Sequence, residues 1–321
     1  MMDWTTTQCR VLHRALSPSA RLYTEMVHAN AVVFGNRARL LEFDPSEHPI
    51  ALQLGGSEPV KLAEATRIAV AEGFDEVNLN CGCPSDRVQS GRFGACLMLE
   101  PELVAECVQA MIEAADGAVP VTVKCRIGVD DQDDDADLDR FVNVVSAAGC
   151  KVFIVHARKA WLKGLSPREN REIPPLNYPR AFRLKRERPD LTIVLNGGLS
   201  TIPAMQQALE QLDGVMLGRV AWHEPYILSL AEQALCDDTF ELPVRTDLLR
   251  SLYPYVQRRL ATGENLSHSI RPMLGLLQGL PGARKFRRVL SEGAHRPGAD
   301  ESLIEAALTA ATDAARLETQ T

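Results

Sequence analysis

Seven short apolar runs, rich in β-branched residues, recur along this chain, and a helical pattern follows most of them. That alternation limits the fold more than any other feature. The runs cover residues 22–26, 50–54, 76–80, 121–125, 152–156, 192–196 and 214–218. Amphipathic segments fill the intervals at 59–71, 101–115, 137–148, 179–188 and 202–211. Strand and helix in alternation predict a parallel α/β architecture. The runs are apolar nearly throughout, as expected of strands covered on both faces. A doubly wound sheet and a closed barrel both satisfy this pattern, and the C-terminal ends of the runs separate them. Polar or glycine residues gather at nearly every end: Glu25, Gln53 with Gly55-Gly56, Asn80, Lys124 with Arg126, His156 with Arg158, Asn196-Gly197-Gly198 and Gly218-Arg219. An open sheet concentrates its site at one switch point. A TIM (β/α)8 barrel uses all its strand ends, and the pattern predicts that barrel.

Asn196-Gly197-Gly198 and Gly218-Arg219 have the composition of a phosphate cradle. Glycines let the backbone approach, and main-chain N–H groups and Arg219 supply donors. In barrels such a cradle usually follows strands 7 and 8. Only five runs precede the one that ends at Asn196. The count predicts that the first barrel strand is missing before Met1, as a start codon assigned one strand late would produce. An intact mass beginning at Met1, measured on protein from the native source, would sink that expectation.

After about residue 240 the pattern changes to helices alone, at 247–261, 267–277, 283–290 and 301–317. Breaks fall at Thr262-Gly263, Pro281-Gly282 and Pro297-Gly298. The expected division is a barrel over 1–240 and an all-helical domain over 241–321. The net charge of −7 argues against bulk electrostatic binding of nucleic acid, but it hides an asymmetry. Residues 241–299 hold ten Arg or Lys against four Asp or Glu, so this stretch carries +6 and the rest −13. Such a contrast can mark a nucleic-acid surface. Asp130–Asp137, with six Asp, reads as a solvated loop entering a helix. No apolar run reaches the ~18 residues of a membrane span, and the first residues lack the regions of a signal peptide. The eight Cys are scattered, mostly in apolar segments, which is reduced, cytoplasmic usage and not a disulfide framework.

The run 76–80 ends in Cys81-Gly82-Cys83-Pro84-Ser85, where Pro84 stops the ladder. A buried thiol behaving as a small hydrophobe is the common fate of a free Cys. Cys83 instead stands on a turn at the functional end, where packing demands are weak. Its thiol, with a reference pKa of ~8.5, suits a general acid. Zinc binding by Cys81 and Cys83 is disfavoured by the spacing and by the lack of a second pair. Lys124 and His156 end strands expected side by side. A Lys there can hold negative charge on a ring, and a His can donate to a carbonyl or phosphate. Each also has a bland reading, as a surface lysine and a structural histidine. Gln53 suits the edge of a flat heterocycle, or a backbone bond. Together these groups describe a barrel holding a flat phosphorylated ring, and flavin mononucleotide (FMN) fits that description. No G-x-G-x-x-G follows a strand, so NADPH would visit without a Rossmann domain of its own.

These residues carry a resemblance. Residues 22–26, 51–57, 78–80 with 82–85, 94–97, 121–124, 155–160, 170–175, 196–198 and 214–219 resemble the tRNA-dihydrouridine synthases, in family order over almost the whole chain. The turn Gly82-Cys83-Pro84-Ser85 marks the family broadly. Arg158-Lys159-Ala160-Trp161 and Asn170-Arg171-Glu172-Ile173-Pro174-Pro175 are more specific to its bacterial A branch. The resemblance implies an FMN barrel joined to a helical tRNA-binding domain. It implies NADPH-dependent reduction of the C5=C6 bond of uridine in the tRNA D-loop, at position 20 and at 20a. It makes Cys83 the proton donor to C5, with hydride reaching C6 from reduced FMN. Gln53, Lys124, His156, Gly197, Gly198, Gly218 and Arg219 fall on flavin-binding positions, with Asn196 beside them in the cradle. Asn80 falls near the target uridine. Arg284, Arg287 and Arg288 offer phosphate contacts from a C-terminal helix, with Lys159 and Arg171 near the barrel mouth. For each single residue of that group, an ordinary solvated basic face is the alternative.

Two places depart from the family pattern. The usual first strand ending Ala-Pro-Met is absent, and Cys81 stands where an apolar residue is expected, as a bystander or an oxidation liability beside Cys83. The competing readings are a small-molecule pyrimidine reductase, a tRNA-binding module without catalysis, and a non-redox barrel with Lys124 as a Schiff-base amine. A flavin absorbance spectrum excludes the last and disfavours the second. No membrane association and no obligate protein partner are expected.

Overall fold

The structure is a computed structural model that describes residues 1–133 and 135–318. Seven strands are found among the described residues: β1 (Leu22–His28), β2 (Ile50–Gly55), β3 (Glu76–Cys81), β4 (Val121–Arg126), β5 (Val152–His156), β6 (Thr192–Asn196) and β7 (Gly214–Met216). They lie in one sheet in sequence order, and β2 to β7 pair in parallel. The expected runs and the observed strands agree to within two residues at every end.

Helices connect the strands. Pro59–Glu72 and Pro101–Ala115 both begin with proline in the first turn, where its missing N–H breaks no bond. Tyr178–Glu187 starts at Asn177, whose side chain accepts from Arg180 N. These helices cover the outer face of the sheet. Val77, Leu79, Cys81, Val123, Cys125, Phe153, Val155, Ile193 and Leu195 point outward from the strands. They share one core with Leu62, Val104, Met111, Phe141 and Leu184. Each such large side chain contributes about 1.5–3 kcal/mol when fully buried.

The other strand face carries the polar residues, with Ala51, Ile154 and Val194 among them. Register pairs Gln53 with Asn78, Asn78 with Thr122, Asn80 with Lys124, Arg126 with His156, and His156 with Asn196. Residues paired across parallel strands share a face, and alternate residues along a strand do too. One face therefore collects Gln53, Asn80, Lys124, His156 and Asn196 at the C-terminal end, as the barrel reading required.

The acidic run does more than meet solvent. Asp133 Oδ1 accepts from Asp135 N and Ala136 N at 2.8 Å, at the start of the helix Ala136–Ala147. Asp135 and Asp139 pair with the buried Arg180 and with Arg183 on the helix Tyr178–Glu187. Asp134 lies outside the described residues.

The chain forms two compact units. The first holds residues 1–2 and 23–218, and the second holds 3–22 and 219–321. The division thus comes after Gly218, earlier than the change of pattern near residue 240. The second unit is helical: apart from Leu22, the first residue of β1, its described residues contain no strand. It includes Thr7–Leu16, an N-terminal helix that the hydrophobic pattern did not reveal. Side chains tie that segment in: His13 Nε2 lies 3.0 Å from Ala221 O, Ser229 donates to Leu16 O, and Ser17 and Ser19 bond Glu232. The stretch expected as one helix over 247–261 is two, Arg245–Ser251 and Tyr253–Ala261. Pro254 falls in the first turn of the second, where it cannot continue the preceding ladder. The helix expected over 267–277 is Leu266–Ile270, followed by a 3₁₀ turn containing Pro272. No helix among the described residues is long and apolar enough to cross a membrane.

Candidate active site

Cys83 stands two residues beyond β3, on a turn held from three sides. Asn80 Oδ1 accepts from the N–H groups of Gly82 and Cys83, both at 3.0 Å. The Cys83 carbonyl accepts from Ala95 N at 2.9 Å. Ala95 reaches it because Gly94 adopts φ +77, and a Cβ there would lie 2.5 Å from Cys83 O. On the third side, Arg126 Nε donates to Gly82 O at 3.1 Å. The thiol is half-buried, with Sγ 3.6 Å from Ser85 Oγ.

Cys81 has the opposite environment. It is fully buried in the outer layer, in register with Cys125. Burial holds its thiol well above the ordinary range, and pushes those of Cys107, Cys125 and Cys150 up to about 12. Cys81 therefore fills the apolar slot expected at its position. Among the described residues, no group of His, Cys, Asp or Glu is arranged to hold a metal ion.

Lys124 is half-buried at the end of β4. Burial pushes its ammonium down to about 8, and the Arg126 cation adds to that effect. His156 is held well below its ordinary value by burial, then by Arg126, Lys124, Arg158 and Arg171, so the imidazole is neutral. Its Nδ1 is buried and meets no hydrogen-bond partner among the described residues. A Cβ on Gly197 would come within 3.2 Å of its Nε2. Gly197 (φ +109) and Gly198 (φ +72) both take left-handed conformations, and Tyr178 OH fixes the Gly197 carbonyl at 2.6 Å. Asn196 uses its amide nitrogen on Met216 O at 2.8 Å, lashing β6 to β7. Gly218 follows β7, and Arg219 opens a short helix of the second unit. A flat ring with a phosphate tail fits this donor set on two observations. His156 Nδ1 needs a polar partner, and Gly197 and Gly198 carry the main chain past Leu176 and Tyr178 in left-handed conformations that no larger residue could take there.

The family model described as Dihydrouridine synthase (Dus) matches residues 1–312. The chain belongs to the dihydrouridine synthase family. It is 62% identical over 308 residues to the tRNA-dihydrouridine(20/20a) synthase of Xanthomonas axonopodis pv. citri (strain 306), covering 96% of this chain and 91% of that one. It is 51% identical to the protein of the same name from Vibrio vulnificus (strain CMCP6), covering 96% and 94% of the two chains. Among solved structures, it resembles an old yellow enzyme homologue from Zymomonas mobilis at 14% identity and a TM-score of 0.50, over 76% of this chain and 87% of that one. This last likeness is one of fold alone. With seven strands in barrel order, it identifies the first unit as a TIM-barrel architecture.

Within this dihydrouridine synthase chain, the run from Asn170 to Pro175 has a structural role. Asn170 is fully buried, and its amide clamps one residue from both sides: Oδ1 accepts from Trp161 N at 2.7 Å, and Nδ2 donates to Trp161 O at 2.9 Å. Lys159 donates from Nζ to Gln132 O, and its own carbonyl accepts from Arg126. Lys159 is thus engaged in building the loop, whereas Arg171 is exposed. In the second unit Arg284, Arg287 and Arg288 are exposed on Ala283–Gly293, while Phe286 and Leu290 are buried.

In the sequence Arg126 stands out only as a polar strand end. The structure gives it three carbonyls, those of Gly82, Lys159 and Asn170, and burial pushes its guanidinium down to about 10. The signal was present: a cation two positions beyond Lys124 on a strand shares its face and needs partners there.

Proposed function

We propose that this chain is a flavin-dependent tRNA-dihydrouridine synthase that reduces uridine to 5,6-dihydrouridine at positions 20 and 20a of the D-loop, with NADPH as reductant. The observation that carries the reading is the setting of Cys83: a half-exposed thiol on a turn fixed through its own N–H and C=O, at the functional end of a barrel. The names of the relatives support the substrate.

Bound FMN would supply, once reduced by NADPH, the hydride that reaches C6. The chain's own residues do the rest. Gln53, Lys124 and His156 hold the ring, and Gly197, Gly198 and Gly218 admit its phosphate, with Asn196 supporting the cradle and Arg219 next in the chain. Lys124, as the cation, favours negative charge on the ring. Asn80 stands beside the uracil, and Cys83 Sγ gives its proton to C5, so that hydride and proton together saturate the bond. A uridine inside a folded tRNA must leave its stack to reach such a site. The helical unit, with Arg284, Arg287 and Arg288, holds the tRNA, and Arg171 and Lys159 add to that from the barrel. Such a substrate places the protein in the cytoplasm.

Replacing Cys83 with Ala tests the proposal. The purified variant should keep its flavin absorbance and lose most of its turnover on tRNA lacking dihydrouridine. Native turnover would remove Cys83 from the role of acid.

A further inference from the structure

An unbroken series of side-chain hydrogen bonds runs beneath the Cys83 turn. Tyr23 OH and Thr122 Oγ1 both donate to Glu76 Oε1, at 2.7 and 2.6 Å. Asn78 Nδ2 donates to Thr122 Oγ1 at 2.8 Å. Gln53 Nε2 donates to Asn78 Oδ1 at 2.9 Å, and Asn80 Nδ2 to Gln53 Oε1 at 2.8 Å. Asn80 Oδ1 then accepts the two main-chain N–H groups of the turn. Glu76, Asn78 and Thr122 are buried.

The chemistry of the two ends fixes the direction of every bond between them. A carboxylate only accepts, so Thr122 must give it its single proton. The Thr122 oxygen is then left as an acceptor, which obliges Asn78 to present its nitrogen. Asn78 therefore shows its oxygen to Gln53, and Gln53 its oxygen to Asn80. At the far end, main-chain N–H groups only donate, so Asn80 must show them its oxygen. Both ends demand the same polarity. Flipping Asn78 or Gln53 breaks two of these bonds and flipping Asn80 breaks three, and Asn78 would lose its pair in a buried setting.

We propose that Glu76 is a positioning residue for Cys83, acting through Thr122, Asn78, Gln53 and Asn80 as a one-way chain of hydrogen bonds. Its carboxylate sets the orientation of three amides, and the last of them holds the thiol-bearing turn. Gln53 is locked by the same rule and meets the ring in one orientation only. This inference rests on the function proposed above for Cys83.

The test uses the full chain loaded with FMN, with tRNA lacking dihydrouridine as substrate. Thr122→Val removes the hydroxyl at nearly constant volume, Thr122→Ser restores it, and Glu76→Gln removes the acceptor-only end. Thr122→Val and Glu76→Gln should keep the flavin band and lower kcat about tenfold, with KM for tRNA changed by less than about twofold. Thr122→Ser should return kcat to near the native value. The rate at which iodoacetamide modifies Cys83, followed by mass, should shift in Thr122→Val and revert in Thr122→Ser. A native kcat in Thr122→Val overturns the proposal. So does a Ser variant as impaired as Val, or loss of the flavin band, either of which would make the chain general scaffold. Cys83→Ala, run beside them, separates the two ideas. If it turns over tRNA normally, the function assigned to Cys83 fails. If it is inactive while Thr122→Val is native, only the one-way chain fails.

Discussion

Arg126 Nε donates to the main-chain carbonyl of Gly82 at 3.1 Å, so a buried cation of β4 holds the residue that precedes the thiol. The same guanidinium reaches the carbonyls of Lys159 and Asn170 through Nη1. A lysine keeps the charge but cannot fork to three acceptors. Arg126→Lys should therefore lower stability by about 1–3 kcal/mol through the acceptors it abandons. Turnover on tRNA should fall more steeply than flavin content, since the Gly82 turn loses a support. Denaturant melts and single-turnover rates check both parts.

Gly94 is a backbone position that no other residue suits. Its φ of +77 is left-handed, and a Cβ would strike Cys83 O and the Val88 side chain. Gly94→Ala should cost about 1–3 kcal/mol in strain. It should also displace the carbonyl that Ala95 N holds, lowering turnover while leaving flavin bound. An alanine variant with native kcat would show that the Cys83 turn tolerates movement.

Lys124 links the site to pH. Its ammonium titrates near 8 in the folded chain, against an ordinary 10.5. Between those values the unfolded chain binds the extra proton, so this residue makes unliganded stability rise with pH across that window. Flavin affinity should move the other way, falling as pH passes 8 and the cation facing the ring is lost. Lys124→Met should flatten both slopes. Calorimetric melts and flavin titrations at pH 7 to 10 read them separately.

The basic face of Ala283–Gly293 should answer to salt. Arg287 bonds Gln278 at 2.7 Å and Arg288 lies 3.6 Å from Glu292, both on the surface, where such pairs add little stability. Replacing both arginines with Glu should leave fold and flavin intact and weaken tRNA binding about tenfold or more at moderate salt. The dependence of log affinity on log salt should become shallower. Unchanged affinity would remove these residues from the tRNA surface.

Much of this fold is legible in the amino-acid sequence. The strands declared themselves by their apolar runs, and their polar ends fall together on one face of the sheet. Cys83, Lys124, His156 and the Gly197-Gly198 pair were visible because each breaks an apolar pattern. The features that stayed hidden depend on partners distant in sequence. Glu76 opens a strand and reads as a solvated end, yet it is buried against Tyr23 and Thr122. Asn170 lies in a polar loop, and only the fold shows it clamping Trp161. The helix Thr7–Leu16 buries Gln8, Arg10 and His13 beside Cys9, Leu12 and Leu16. Its apolar spacing was present, but polar residues at buried positions blurred it.

Cys81 and Cys83 are two residues apart, a separation that along an unbroken strand would give them one environment. The chain leaves the ladder after Cys81, and the hydrogen bonds of Asn80 bend Gly82 and Cys83 away from the strand direction. One thiol is sealed under helices and the other is left half-exposed. Reactivity here is thus a property of where pairing stops. A variant that carried the strand two residues further would bury the second thiol as well and, on the function proposed above, lose its acid with every cysteine still in the sequence.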